Sequence, residues 1–137
     1  MQGLVAKAGL LDEVELDSAG TAGWHVGNRA DPRARQVARS RGLQLTSRAR
    51  RFEPGDFDRF DYILAMDRSN LRDLRRLART DAERDRVSLL RDFDSAIPAG
   101  AEVPDPYYGG EDGFEDVFDI CQAACTGLLD ALRQHLP

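Results

Sequence analysis

Lysine is almost missing from this chain of 137 residues: Lys7 is the only one, and arginine makes up the rest of the 19 basic residues. Against 24 acidic residues this leaves a formal net charge of −5. A general nucleic-acid binder carries a basic surface, so that class is disfavoured. Cysteine is scarce too. Cys121 and Cys125 are the two present, and they fall four residues apart on an apolar helical stripe. No histidine joins them at ligand spacing, so they read as core thiols rather than a metal or redox pair. His25 and His135 lie far apart and read as surface residues. No apolar run is long enough to span a bilayer. Met1 to Leu11 lacks the basic start and long apolar stretch of a signal peptide. The expected setting is the cytoplasm, with both thiols reduced. Internal repeats and low-complexity tracts are absent as well.

What remains is ordinary soluble composition, 42% apolar and 31% charged, and a length that suits one domain over 1–137. The stretch "GLVAKAGLL" predicts an opening helix, with Leu4, Val5 and Ala8 on one face and Gly9 near its end. Val14 and Leu16 alternate with acids, which predicts a short strand over Glu13–Asp17. "DPRARQVARSRG" predicts a helix capped by Asp31, with Pro32 in its first turn and Gly42 closing it. The continuous apolar run Tyr62–Met66 predicts a strand covered on both faces. Asp67 is placed to cap the helix that follows, whose Leu71, Leu74 and Ala78 share a face. The polar stretch Ala78–Arg86 reads as a helix end and loop. "RVSLLRDF" predicts another strand, and the apolar stripe from Phe114 to Leu132 predicts a long last helix.

Helices and strands thus alternate, which predicts an α/β domain with a parallel sheet and helices on its faces. Ligands in such sheets bind beyond the carboxyl ends of the strands. Three segments leave those ends: Asp17–Thr21, Ala65–Asn70, and Arg91–Ser95, which leads on to "EVPDPYYGG". In that loop Pro104 and Pro106 stiffen the backbone around Asp105. An ionisable group so held beside Tyr107 and Tyr108 is either a turn aspartate or half of an active site. Tyr107 and Tyr108 fit packing on the sheet edge, a pocket wall, or one of each. Ser18, Asp67 and Asn70 are residue types more often found in caps and turns than as ligands. Arg72, Arg75, Arg76 and Arg79 read as a solvated helix face.

Together "DSAGTAGWHVG", "DPRA", "FDYILAMDRSNLRDL", "LLRDFD" and "VPDPYYGGEDGFEDVF" resemble the low molecular weight protein-tyrosine phosphatases, in order and from about residue 1 to the C-terminus. The arsenate reductases of the same fold match less well. The resemblance implies a three-layer sandwich, doubly wound, with a short parallel sheet flanked by helices. It implies hydrolysis of phosphotyrosine monoesters through a phosphocysteine intermediate, without cofactor or metal. The implied partner is a phosphotyrosine-containing protein or a small aryl phosphate, with no nucleic acid and no membrane. Asp105 aligns with the general acid, Tyr107 and Tyr108 with the aromatic wall, Trp24 with the rim, and Ser18 with a residue supporting the nucleophile loop.

One part of the pattern is missing. The family's chemistry uses a Cys-x5-Arg loop, and the residues six after Cys121 and Cys125 are Gly127 and Ala131. The family's first strand and its loop are therefore expected to be absent, and the chain as given to be inactive. The alternative is a non-catalytic binding module on the phosphatase fold. By resemblance, the missing strand lies between Glu13–Asp17 and Tyr62–Met66. The expected repair is a shift of Glu13–Asp17 onto Tyr62–Met66, or a homo-oligomer formed through the exposed sheet edge, in preference to a stable open slot.

Overall fold

In the computed structural model, which describes residues 1–21, 27–46, 48–105 and 113–135, the chain opens in helix α1 (Gln2–Lys7). It ends at Gly9, where a φ of +72° suits glycine. Helix α2 (Pro32–Ser40) follows its sequence signals: the Asp31 carboxylate accepts the Arg33 amide at 2.8 Å, and Pro32 occupies the first turn. A short helix α3 (Asp56–Arg59) precedes strand β1 (Ile63–Ala65). Helices α4 (Arg68–Leu77) and α5 (Asp81–Asp85) then lead to strand β2 (Val87–Leu89). The strands pair in parallel, Ile63 with Val87 and Ala65 with Leu89, so β1 to β2 is a crossover unit. A 3-10 turn at Leu90–Phe93 and the loop to Asp105 precede the long helix α6 (Gly113–Arg133).

Two apolar clusters cover the two faces of the sheet. Ile63, Ala65, Val87 and Leu89 pack with Leu74 and Ala78 of the α4 side and with Phe52 and Phe57. Leu64 turns the other way, into a cluster built on Leu90, Val103, Ala124 and Leu128. This is the three-layer α/β arrangement that the sequence predicts. Helix α6 lies so close to the 3-10 turn that a Cβ on Gly127 would fall 1.8 Å from the Phe93 carbonyl oxygen. Arg41, just past α2, ties α2 to α6: it pairs with Glu115 at 2.7 Å and with Asp119, and its guanidinium lies 4.6 Å from the Phe118 ring centroid.

The structure corrects the strand expected at Glu13–Asp17. Residues 14–19 carry no regular structure, and among the described residues the sheet has two strands. A strand needs a backbone neighbour, and this segment faces β1 across a gap. Two ion pairs hold it instead, Glu15 with Arg59 and Asp17 with Arg50. Its ladder reduces to one parallel bridge further on, where the Gly20 amide bonds the Arg50 carbonyl at 2.8 Å and the Phe52 amide bonds the Gly20 carbonyl at 2.9 Å. The expected shift of Glu13–Asp17 onto Tyr62–Met66 does not occur. The stretch read as a loop over Ala78–Arg86 contains α5, capped by Thr80 through the Glu83 amide. Among the described residues no helix is long and apolar enough to cross a membrane.

Candidate functional site

The gap beside β1 is a trough of about 760 Å³. One wall is the chain from Glu13 to Thr21, the other is Tyr62–Met66, and Leu90, Cys125 and Leu128 line it from the α6 side. It reaches the carboxyl end of β1, where α/β sheets bind ligands. Ser18, Arg50 and Asn70 supply polar groups there. Asp67 caps α4 as its sequence predicts, accepting the Asn70 amide at 2.7 Å.

A clasp of hydrogen bonds fixes the approach to Asp105 at the same end of the strand. The Val103 amide donates to the Met66 carbonyl at 2.7 Å. The Glu102 carboxylate accepts the Arg68 amide at 2.8 Å, at the first turn of α4, where an acid is favoured. Arg91 donates to the Glu102 carbonyl at 2.9 Å, and Arg68 to the Gly100 carbonyl at 2.9 Å. Pro104 follows, and then Asp105, which is exposed. The structure therefore brings Ser18 and Asn70 to the trough and places Asp105 two residues beyond the bond that ties its loop to Met66. Trp24, Tyr107 and Tyr108 lie outside the described residues.

Arg50 is the residue that sequence reading missed. It reaches Asp17 at 3.0 Å on the trough wall and grips Asp56 with two nitrogens at 3.0 and 3.2 Å. Burial pushes the Asp56 carboxyl up, but the Arg50 bonds, the Glu53 amide and nearby arginine charge outweigh it, and the group sits below the usual carboxylate range. Arg50 is itself raised, chiefly by the Asp56 hydrogen bond. Within the arginine-rich run "SRARRF", nothing local marks Arg50 out.

Neither cysteine is set up as a nucleophile. Both face the α6 cluster and are partly buried. Burial pushes the Cys121 thiol up, and Cys125 adds to it. A reactive thiolate needs the opposite environment. Among the described residues no group of three His, Cys, Asp or Glu gathers to hold a metal. The described site can therefore offer an exposed acid, a polar strand end and an apolar trough.

The profile of the low molecular weight phosphotyrosine protein phosphatases matches residues 1–137. A low molecular weight protein-tyrosine-phosphatase of Streptomyces coelicolor is 49% identical over 133 residues, covering 96% of this chain and 81% of the relative. Among solved structures, a protein tyrosine phosphatase from Entamoeba histolytica with Hepes in its active site superposes with a TM-score of 0.91. It is 39% identical and covers 98% of this chain and 85% of its own. The Drosophila arginine phosphatase superposes with a TM-score of 0.83 at 30% identity, covering 96% of this chain and 84% of its own.

Proposed function

The chain belongs to the low molecular weight phosphotyrosine protein phosphatase family, and on that premise we propose that it carries the acid half of a phosphotyrosine phosphatase site. In the family reaction a thiolate attacks phosphorus, the bond to the phenolic oxygen breaks, and the departing phenolate takes a proton from an acid. Water then attacks the phosphocysteine, releasing phosphate and restoring the thiol. Asp105 takes the role of the acid in this reading, with Tyr107 and Tyr108 as walls for the substrate ring, Trp24 at its rim and Ser18 as loop support. The observation that carries the reading is the clasp between Val103 and Met66. It ties the loop of Asp105 to the carboxyl end of β1, the end at which parallel sheets bind ligands, and so supports the reading. The substrate class is a phosphotyrosine protein or a small aryl phosphate.

The 137 residues contain no Cys-x5-Arg, so this polypeptide by itself is expected not to turn over. A placed acid contributes about 10²–10⁴-fold, far short of the acceleration phosphate-monoester hydrolysis needs. The test is a steady-state assay of the purified 137-residue chain on p-nitrophenyl phosphate and phosphotyrosine. Phosphoarginine belongs alongside, because the Drosophila arginine phosphatase is similar in fold. Turnover at an ordinary enzymatic rate would show that the reading of this chain is wrong. Intact mass of the natively expressed protein separates a phosphatase from the alternative, a non-catalytic binding module. A longer protein bearing Cys-x5-Arg supports the first, and a mass equal to these 137 residues supports the second.

A further inference from the structure

A second cavity, of about 250 Å³, is lined by four arginines, Arg29, Arg35, Arg39 and Arg48. None of them lines the trough. The other described residues of its lining are uncharged. Elsewhere the arginines of this acidic chain meet carboxylates: Arg41 meets Glu115, Arg50 meets Asp56, and Arg79 meets Glu83. Among the described residues no carboxylate forms an ion pair with any of the four. Asp31, at the start of α2, is engaged by Arg33 instead.

The arrangement sets like charges together in two ways. Arg35 and Arg39 stand four residues apart on α2, a spacing at which like charges repel. Arg29 and Arg48 face each other across an antiparallel bridge, where a like pair again costs stability. Backbone carbonyls orient two of the four: Arg35 donates to Ala30 at 3.1 Å and Arg48 to Gly27 at 3.1 Å. A guanidinium carries five N–H donors, so one such bond leaves most of them for an occupant. Arg29 and Arg39 are exposed and can turn inward. An anion between the forks removes the repulsion, and planar forks match phosphate oxygens. The charges come from two elements and, along α2, from positions about 5–6 Å apart. Two linked phosphoryl groups suit that spread better than one. We propose that this cavity binds a diphosphate, free or as the end of a larger molecule. The inference does not rest on the phosphatase reading, and its test reads no activity.

The test is calorimetric titration of the 137-residue chain with inorganic pyrophosphate at constant ionic strength, repeated with phosphate, a nucleoside diphosphate and hexaglutamate. Pyrophosphate is expected to bind on the order of ten-fold more tightly than phosphate. Arg29→Gln combined with Arg39→Gln is expected to weaken it on the order of ten-fold. Arg72→Gln combined with Arg133→Gln removes equal charge from exposed positions outside the cavity and is expected to leave binding nearly unchanged. Tighter binding of the nucleoside diphosphate would make an esterified end the natural ligand, and tighter binding of pyrophosphate the free anion; both support the proposal. Without multivalent anions the Arg29, Arg39 variant is expected to melt no lower than the parent, because it relieves repulsion. A lower melting temperature would show that the fold itself uses these charges, and would overturn the proposal. So would pyrophosphate binding no tighter than phosphate, equal losses in the two variant pairs, or tighter binding of hexaglutamate, which would make the partner an acidic peptide. If the double variant does not fold, Arg39→Gln is read alone, since glutamine suits an exposed helical position. A loss of about three-fold is then expected, and an unchanged affinity overturns the proposal.

Discussion

Gly127 has no room for a side chain. In an exposed helix, alanine in place of glycine stabilises by about 1 kcal/mol. Here the added methyl would meet the Phe93 carbonyl oxygen at 1.8 Å, which only a shift of α6 away from the 3-10 turn can relieve. Overpacking of that kind costs about 1–3 kcal/mol. Gly127→Ala is therefore expected to lower the urea midpoint, a sign opposite to that of helix propensity. A raised midpoint would show that α6 moves aside without cost. At Asp105 the expected effect is on chemistry rather than stability, because the side chain is exposed. In a form of the protein that carries the nucleophile loop, Asp105→Asn should slow release of poorly leaving phenolates by about 10²–10⁴-fold and of good leaving groups far less. Equal losses across a leaving-group series would assign Asp105 a structural role.

At the scale of elements, α5 is held at its start by one acid. The Glu83 carboxylate accepts the Arg79 side chain at 2.8 Å and the Arg79 amide at 2.8 Å. These bonds bring its pKa from 4.5 down to about 2. A group lowered on folding stabilises fully above its unfolded value, and the contribution disappears as pH falls through the folded one. Melting temperature should therefore drop between about pH 4.5 and pH 2, and Glu83→Gln should drop less over the same range. Parallel curves for the two proteins would sink the assignment. The signals for this cap stand in the sequence, since Thr80 and Glu83 have the spacing of a capping box, yet a polar stretch of nine residues reads as a loop. Elements with a strong local pattern were legible: Asp31 and Pro32 at α2, Asp67 at α4, the apolar core of β1, and the stripe of α6. The Glu13–Asp17 strand was not, because alternation shows which side chains can face a core and says nothing about whether a backbone neighbour stands beside them. Of the candidate site, the strand-end segments Asp17–Thr21 and Ala65–Asn70 could be picked out, because the alternation of helices and strands marks the end of a parallel sheet where the trough opens. Arg50 could not, since its importance comes from Asp17 and Asp56, which converge on it only in the fold.

At the scale of the whole molecule, the sheet among the described residues is narrow, and the helices carry much of the packing around it. Two strands of three residues are marginal alone; clusters on both faces hold them in place. The two walls of the trough are held in different ways. The β1 wall is held by apolar burial. The wall over residues 14–19 is held at Asp17 by Arg50 and at Glu15 by Arg59, both pairs partly or largely in contact with solvent. Exposed pairs contribute about 0–1 kcal/mol each and weaken as salt screens them. Salt therefore acts unequally across the trough, loosening one wall while leaving the burial that fixes the other. The gap is a jaw with one side set by burial and the other, between the backbone bonds at Val14 and Gly20, on ionic latches, so its width is expected to vary with the solvent as well as the fold.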